Sequence, residues 1–185
     1  MQEAAAVVQD ARVRARRELV ISAPLVYAAW GLVWLVGYGA MWLSVRGQHP
    51  YTGPSGVSIA AVFVLAGFAV ATVLVITSRA VAGIGGRSVR DRRIILATWT
   101  VGYLILLLVQ AVISSSVSTR TLAFAGFAGP VLLAGLTYIL ASALGRNRPA
   151  LVLGAWLVIA GLSCAWLAPA AILATCALAG GGGFC

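Results

Sequence analysis

The sequence contains no lysine, only four acidic residues and a single histidine, and 9% of its 185 residues are charged. An ordinary soluble domain carries about 25% charged residues and needs them to cover its surface. So few charges exclude a soluble globular fold. The same scarcity removes most catalytic chemistry: there is no His-Glu-x-x-His motif, no Gly-x-Ser-x-Gly elbow and no pair of aspartates inside an apolar run. His49 sits in a Pro/Gly-rich stretch beside Pro50 and Tyr51, where it reads as a turn residue, and one histidine cannot build a metal or haem site alone. Cys164, Cys176 and Cys185 have no close Cys-x-x-Cys spacing; neither a zinc site nor a disulfide framework is indicated, and they read as small packing residues. The chain is expected to be no enzyme and to carry no cofactor.

What is present is apolar: 62% of the residues, with 21 glycines outside that count. Crossing the ~30 Å hydrocarbon core takes about 20 such residues at 1.5 Å each. Five runs qualify, at 19–45, 57–77, 94–114, 122–144 and 150–168. The expected fold is all-α, a polytopic transmembrane helix bundle of five full spans plus a partial sixth element in the apolar tail 169–185. Residues 1–18 form a basic N-terminal segment, and 19–185 a single transmembrane domain. The tail has three readings: a kinked continuation of the fifth helix, a short re-entrant segment, or the first half of a sixth span. Its apolar stretch from Ala170 to Leu178 is too short to recross the bilayer by itself.

Orientation follows from the arginines. Arg12, Arg14, Arg16 and Arg17 precede the first span; Arg79, Arg87, Arg90, Arg92 and Arg93 lie between spans two and three; Arg146 and Arg148 lie between four and five. These eleven fall on one side, against Arg46 and Arg120 on the other, which places the N-terminus in the cytoplasm. The net charge of +9 therefore records topology and gives no reason to expect nucleic acid. The apolar run after residue 18 is too long for a cleavable signal peptide. Residues 1–18 read equally well as a short surface helix or as an extension of span one. Arginine to the exclusion of lysine, with abundant Ala, Val and Gly, points to GC-rich coding and a bacterial source.

Aromatic placement agrees with this map. Trp42 and Trp166 fall near the outer boundary and Trp99 and Trp156 near the inner one, where amphipathic rings concentrate. On span one, Tyr27, Trp30, Trp34, Tyr38 and Trp42 recur at a mean step of 3.75 residues, which puts five aromatics on one helical face. Such a ladder either packs against neighbouring helices or lines a cavity for a planar or cationic ligand. Trp99, Tyr103, Leu106 and Gln110 share a face of span three that should look toward other helices, with Gln110 hydrogen bonding across the interface. No Asp, Glu, Lys, Arg or His lies within any span, which argues against a proton relay or voltage sensor.

Three small-xxx-small pairs, Gly67/Ala71, Ala125/Gly129 and Gly161/Ala165, offer close helix approach or dimerisation. Pro130 and Pro169 each read as a kink in an apolar run. Gly83-Ile84-Gly85-Gly86 lacks a preceding strand and the full dinucleotide spacing, so it reads as a loop. Its arginine neighbours Arg79, Arg87, Arg90, Arg92 and Arg93 are candidates for docking anionic lipid headgroups or a cytoplasmic partner protein.

At Ser22-Ala23-Pro24, Trp30-Gly31, Trp34-Leu35-Val36-Gly37-Tyr38-Gly39-Ala40, Trp42-Leu43 and Pro50-Tyr51-Thr52-Gly53-Pro54 the chain resembles an uncharacterised actinobacterial family of small multi-span integral membrane proteins, with an echo in the run from Gly180 to Phe184. The resemblance implies a plasma membrane location, a six-span plan and a family sequence that continues further; it carries no activity onto any residue. The function expected from the sequence is a non-catalytic transport component or permease-like subunit; the alternative is a membrane-embedded structural or regulatory accessory protein that moves no substrate. A transport role requires Trp30, Trp34 and Tyr38 to face water, whereas an accessory role lets them pack dry. Homo-oligomerisation is compatible with both.

Overall fold

A computed structural model describes residues 25–81, 87–113, 115–145 and 148–183. Among the described residues the chain is helix and turn with no strand. Six helices follow in order: α1 Leu25–Val45, α2 Gly56–Val81, α3 Arg87–Ile113, α4 Thr119–Gly145, α5 Arg148–Trp166 and the shorter α6 Pro169–Gly183. The expected all-α bundle with five long spans and a partial sixth element is the architecture observed. Residues 1–24, with Arg12, Arg14, Arg16 and Arg17, lie outside the described residues, as do Gly83 to Gly86, Arg146 and Phe184-Cys185.

Each reversal has a local cause. Gly47, at φ 93°, turns the chain after α1, where the Gln48 N–H donates to the Val45 carbonyl. The Ser55 hydroxyl then accepts from the Ser58 N–H and caps α2, and Ser118 caps α4 by accepting from the Thr121 N–H. Between α5 and α6, Leu167 and Ala168 are extended and Pro169 occupies the first turn of the new helix. Pro169 thus starts a helix and does not kink one, and α6 folds back along α5. Pro130 stays inside α4, directly after a π-helical segment at Phe124–Ala128, where the missing proline N–H loosens the α-helical ladder.

The connection after α2 differs from its expected form. Both flanking helices run past their predicted ends at 77 and 94, so Arg79 lies on α2 and Arg87, Arg90, Arg92 and Arg93 lie on α3, not in a loop. Arginine is a good helix former, and nothing apolar is needed to continue a helix beyond the membrane. The Arg90 side chain is exposed; those of the other four are outside the described residues.

Helices α1, α4, α5 and α6 enclose the core, which is built from Trp34, Tyr38, Met41, Val45, Ala128, Val131, Leu157, Cys164, Ile172, Leu173 and Cys176 among others. Helix α2 packs on α1 and α3 packs on α4, leaving outward faces such as Phe63, Phe68, Leu104 and Leu108 largely exposed.

The tightest helix pair is α4 against α5. A Cβ added to Gly135 would come within 2.8 Å of the Gly154 carbonyl oxygen, and one on Gly154 within 2.7 Å of the Gly135 oxygen. Ala128, Gly135 and Ser142 on α4, and Gly154 and Gly161 on α5, are all buried and fall seven residues apart. That spacing forms a small-residue seam for antiparallel packing. Of the three pairs picked from sequence, Gly161 joins this seam against Leu132 and Gly129 meets Leu106 of α3, but Gly67 has nothing within 4 Å. Gly135 and Gly154 were not singled out, although the short α4–α5 connection sets them within about one turn of the same depth.

Candidate functional site

The five aromatics of α1 do lie along one side of the helix, and the backbone changes to keep them there. A four-residue step on an α-helix overshoots a full turn by about 40°, so Trp30, Trp34, Tyr38 and Trp42 would drift apart. Residues Val33–Tyr38 instead form a π-helical segment, whose wider turn takes back that drift. Gly37 in this segment lets Val62 of α2 approach from behind, at 3.0 Å from a notional Cβ.

The column meets three different helices. Tyr27 pairs with Tyr138 of α4 at 6.5 Å between ring centroids, and Trp30 stacks on Trp99 of α3 at 6.1 Å. Trp99 in turn stacks on Tyr103 at 5.4 Å, so Tyr103 joins the aromatic cluster as its helical face suggested. Trp34 and Tyr38 stack on each other at 5.0 Å and are only 3% and 6% exposed. Trp42, half-buried near the end of α1, lies under the Arg46 guanidinium at 5.9 Å.

Gln110 does not join. Its amide lies against Gly126 of α4, 3.5 Å from a notional Cβ there, and among the described residues it makes no side-chain hydrogen bond. The expected interhelical bond is absent among the described residues: the amide faces Gly126, which has no side chain to offer a partner. The other polar groups in the spans mostly bond to their own helix: Thr98 to Ile94, Thr100 to Leu96, Thr137 to Leu133 and Ser163 to Ala160, each hydroxyl donating to a carbonyl.

The tail supplies what buries the column. Helix α6 carries a π-helical segment at Cys176–Gly180 and continues as helix through Gly183, beyond the expected apolar stretch. A Cβ on Gly180 would come within 2.9 Å of Trp34 Cγ, and one on Gly181 within 2.8 Å of Leu35 Cβ. The glycine run is therefore a seat for α1. On its other side the Trp156 indole N–H donates to the Ala179 carbonyl at 2.9 Å. Trp156 thus holds the C-terminal half of α6 to α5. We expect Trp156→Phe to remove this bond while keeping most of the packing, lowering stability by about 1 kcal/mol. Thermal unfolding in mild detergent measures this, and an unchanged midpoint would refute it.

The three π-helical segments meet around one polar cluster. The Phe127 carbonyl, in the α4 segment, accepts from the Tyr38 hydroxyl at 3.4 Å and from the Cys176 thiol at 3.6 Å. Cys164, at the end of α5, donates to the Ala160 carbonyl at 3.3 Å, and it shares the buried core cluster with Cys176. Both thiols are free and fully buried. Widened turns leave carbonyls available for such partners and recur at functional positions. The sequence showed Cys164 and Cys176 only as packing residues. The one signal that could have brought them into one cluster was the Pro169 turn lying between them.

At the end of the bundle where α1 meets α2, Gln48 organises the connecting segment. Its amide N–H group donates to the Ser44 and Gly53 carbonyls and its oxygen accepts from the Thr52 N–H and hydroxyl. The Tyr51 hydroxyl is buried without a hydrogen-bond partner among the described residues, and burial pushes its phenol pKa above the ordinary value. Arg120, one of the two arginines on this side, donates to the Ala165 carbonyl at 2.8 Å and so closes the end of α5.

Taken together, five apolar helices long enough to cross a bilayer and an apolar core with no charged residue define a multi-pass α-helical membrane protein. No known protein family, curated protein or solved structure matches the chain. Among the described residues no three His, Cys, Asp or Glu side chains gather as a metal site.

Proposed function

We propose that this chain is a non-catalytic, membrane-embedded structural or regulatory accessory protein that moves no substrate itself. The observation that supports this reading is the burial of Trp34 and Tyr38 of α1 against α4 and α6, where a carrier needs room for water or ligand. A cleft of about 720 Å³ lies away from the column, beneath the end of α6 between Arg148, Trp156 and Gly183. A transport component or permease-like subunit is the competing reading, and it requires the aromatic column to become wet. The excess of eleven arginines over two supports a plasma membrane orientation with the N-terminus in the cytoplasm. Arg79, Arg87, Arg90, Arg92 and Arg93 would then meet anionic headgroups, at about 1 kcal/mol each, or an acidic cytoplasmic partner. The lipid-facing surfaces of α2 and α3 would serve a partner protein or a second copy.

The test places one small thiol beside the column. With Cys164, Cys176 and Cys185 changed to Ser, Ala128→Cys introduces a single cysteine at a position that is 0% exposed. We expect a charged thiosulfonate added to native membranes from either side to leave it unmodified. Modification from the aqueous phase would overturn the accessory reading and favour the transport one.

A further inference from the structure

We propose that the cleft between the start of α5 and the end of α6 binds one anionic phospholipid, with the headgroup phosphate on Arg148 and an acyl chain laid along Val152, Leu153 and Trp156. Helices α5 and α6 run antiparallel, so the first turns of one lie beside the last turn of the other, and the Trp156 bond to the Ala179 carbonyl fixes that register. Arg148, Val152 and Trp156 follow at four-residue steps and form one wall, which descends about 12 Å from the charged end into the span. Gly182 and Gly183 belong to the facing wall. The space between them, about 720 Å³, has the size of an ordinary ligand site.

The chemistry of the walls selects the occupant. Arg148 is exposed at the end of α5 and is the one charged residue among those lining the cleft, so the head of the ligand must be an anion. Deeper in, no polar group is on offer. Pro149 has no N–H, the Trp156 N–H is already given to the Ala179 carbonyl, and the rest is hydrocarbon or helix backbone. A free phosphate would leave these walls bare, and a peptide would leave its own backbone groups unpaired against them. A molecule with an anion at one end and hydrocarbon along the rest fits both parts.

The cleft also opens sideways toward the bilayer. Val152 is 70% exposed and Trp156 50%, so a lipid enters without any helix moving. Gly182 keeps the space clear: a Cβ there would meet nothing within 4 Å, whereas one on Gly183 would come within 2.9 Å of the Trp156 ring.

The experiment reconstitutes the full chain in phosphatidylcholine liposomes with a small share of phosphatidylglycerol that carries a diazirine midway along one acyl chain. After illumination, peptide mass spectrometry maps the labelled residues, with Phe63 and Phe68, exposed on α2, as the reference for general lipid contact. Labelling of Val152, Leu153 and Trp156 should exceed that reference. It should fall about fivefold in Arg148→Gln, or when the probe is a phosphatidylcholine, which is the factor one arginine contributes at an anionic surface. Gly182→Leu should lower it too, because the new side chain fills the cleft and leaves every charge in place. Arg90→Gln, which removes an exposed charge on α3, should leave it unchanged. Equal labelling by the two lipids, or labelling that survives both Arg148→Gln and Gly182→Leu, would overturn the proposal. So would an equal loss in Arg90→Gln, since diffuse surface charge and not the cleft would then attract the lipid.

Discussion

Gly154→Val is expected to dismantle the bundle. The added Cβ would sit 2.7 Å from the Gly135 carbonyl oxygen, 2.8 Å from Ile139 Cγ1 and 2.9 Å from the Ile139 backbone N. Two of those three atoms are backbone, so no rotamer change makes room and α4 must move away from α5. Overpacking of a core costs about 1–3 kcal/mol where side chains can adjust. Here the clash is with a neighbouring helix, and we expect the upper end of that range or beyond. The readout is a lowered unfolding midpoint and loss of a monodisperse peak in mild detergent. Gly67→Val is the control: that glycine has nothing within 4 Å, so its variant should behave as the parent. Equal behaviour of the two variants would show that the glycine seam does not hold the helices together.

The second large effect is expected for Trp34→Ala. Removing this ring empties the space between α1 and the glycine seat of α6 and unstacks Tyr38. In water-soluble proteins Trp→Ala costs about 3–5 kcal/mol, part transfer and part cavity. Lipid chains are as apolar as the interior, so the transfer part is small here and the cavity part remains. We therefore expect about 3 kcal/mol, at the low end of that range. Because Trp34 supports α6, the same variant should make Cys176 react with a small maleimide in native membranes, where the parent protein is protected. Destabilisation without new thiol reactivity would mean that α6 is held by α5 alone.

The placement of the aromatics was legible in part because one helix carries them all. The spacing of Tyr27, Trp30, Trp34, Tyr38 and Trp42 on a single segment is enough to align them, and Tyr103 could be added from its own helical face. What spacing could not reveal was the outcome of alignment, since a buried ladder and a cavity-lining ladder have the same period. Gln110 was misjudged for a related reason: its face was right, but whether a partner waits opposite depends on Gly126, a residue of another helix. That Cys164 and Cys176 share one core cluster was not legible, because it requires α6 to turn back at Pro169, and Pro169 reads equally well as a kink.

The boundaries show the same division. Apolar runs end where arginines begin, but the helices of α2 and α3 do not, because a backbone helix continues into water as readily as arginine allows.

The sequence by itself determined the solvent. Few charges, five apolar runs and a one-sided arginine distribution leave no other environment in which the chain could satisfy its surface. Which apolar face meets which neighbour was decided only by the tertiary structure. In a bilayer an apolar side chain is as well solvated by lipid as by protein, so hydropathy carries no preference between them. The choice falls to fit: Gly180 beneath Trp34, Gly135 against Gly154, and a freed Phe127 carbonyl between Tyr38 and Cys176. Those partners are far apart in the chain and meet only when the helices are packed.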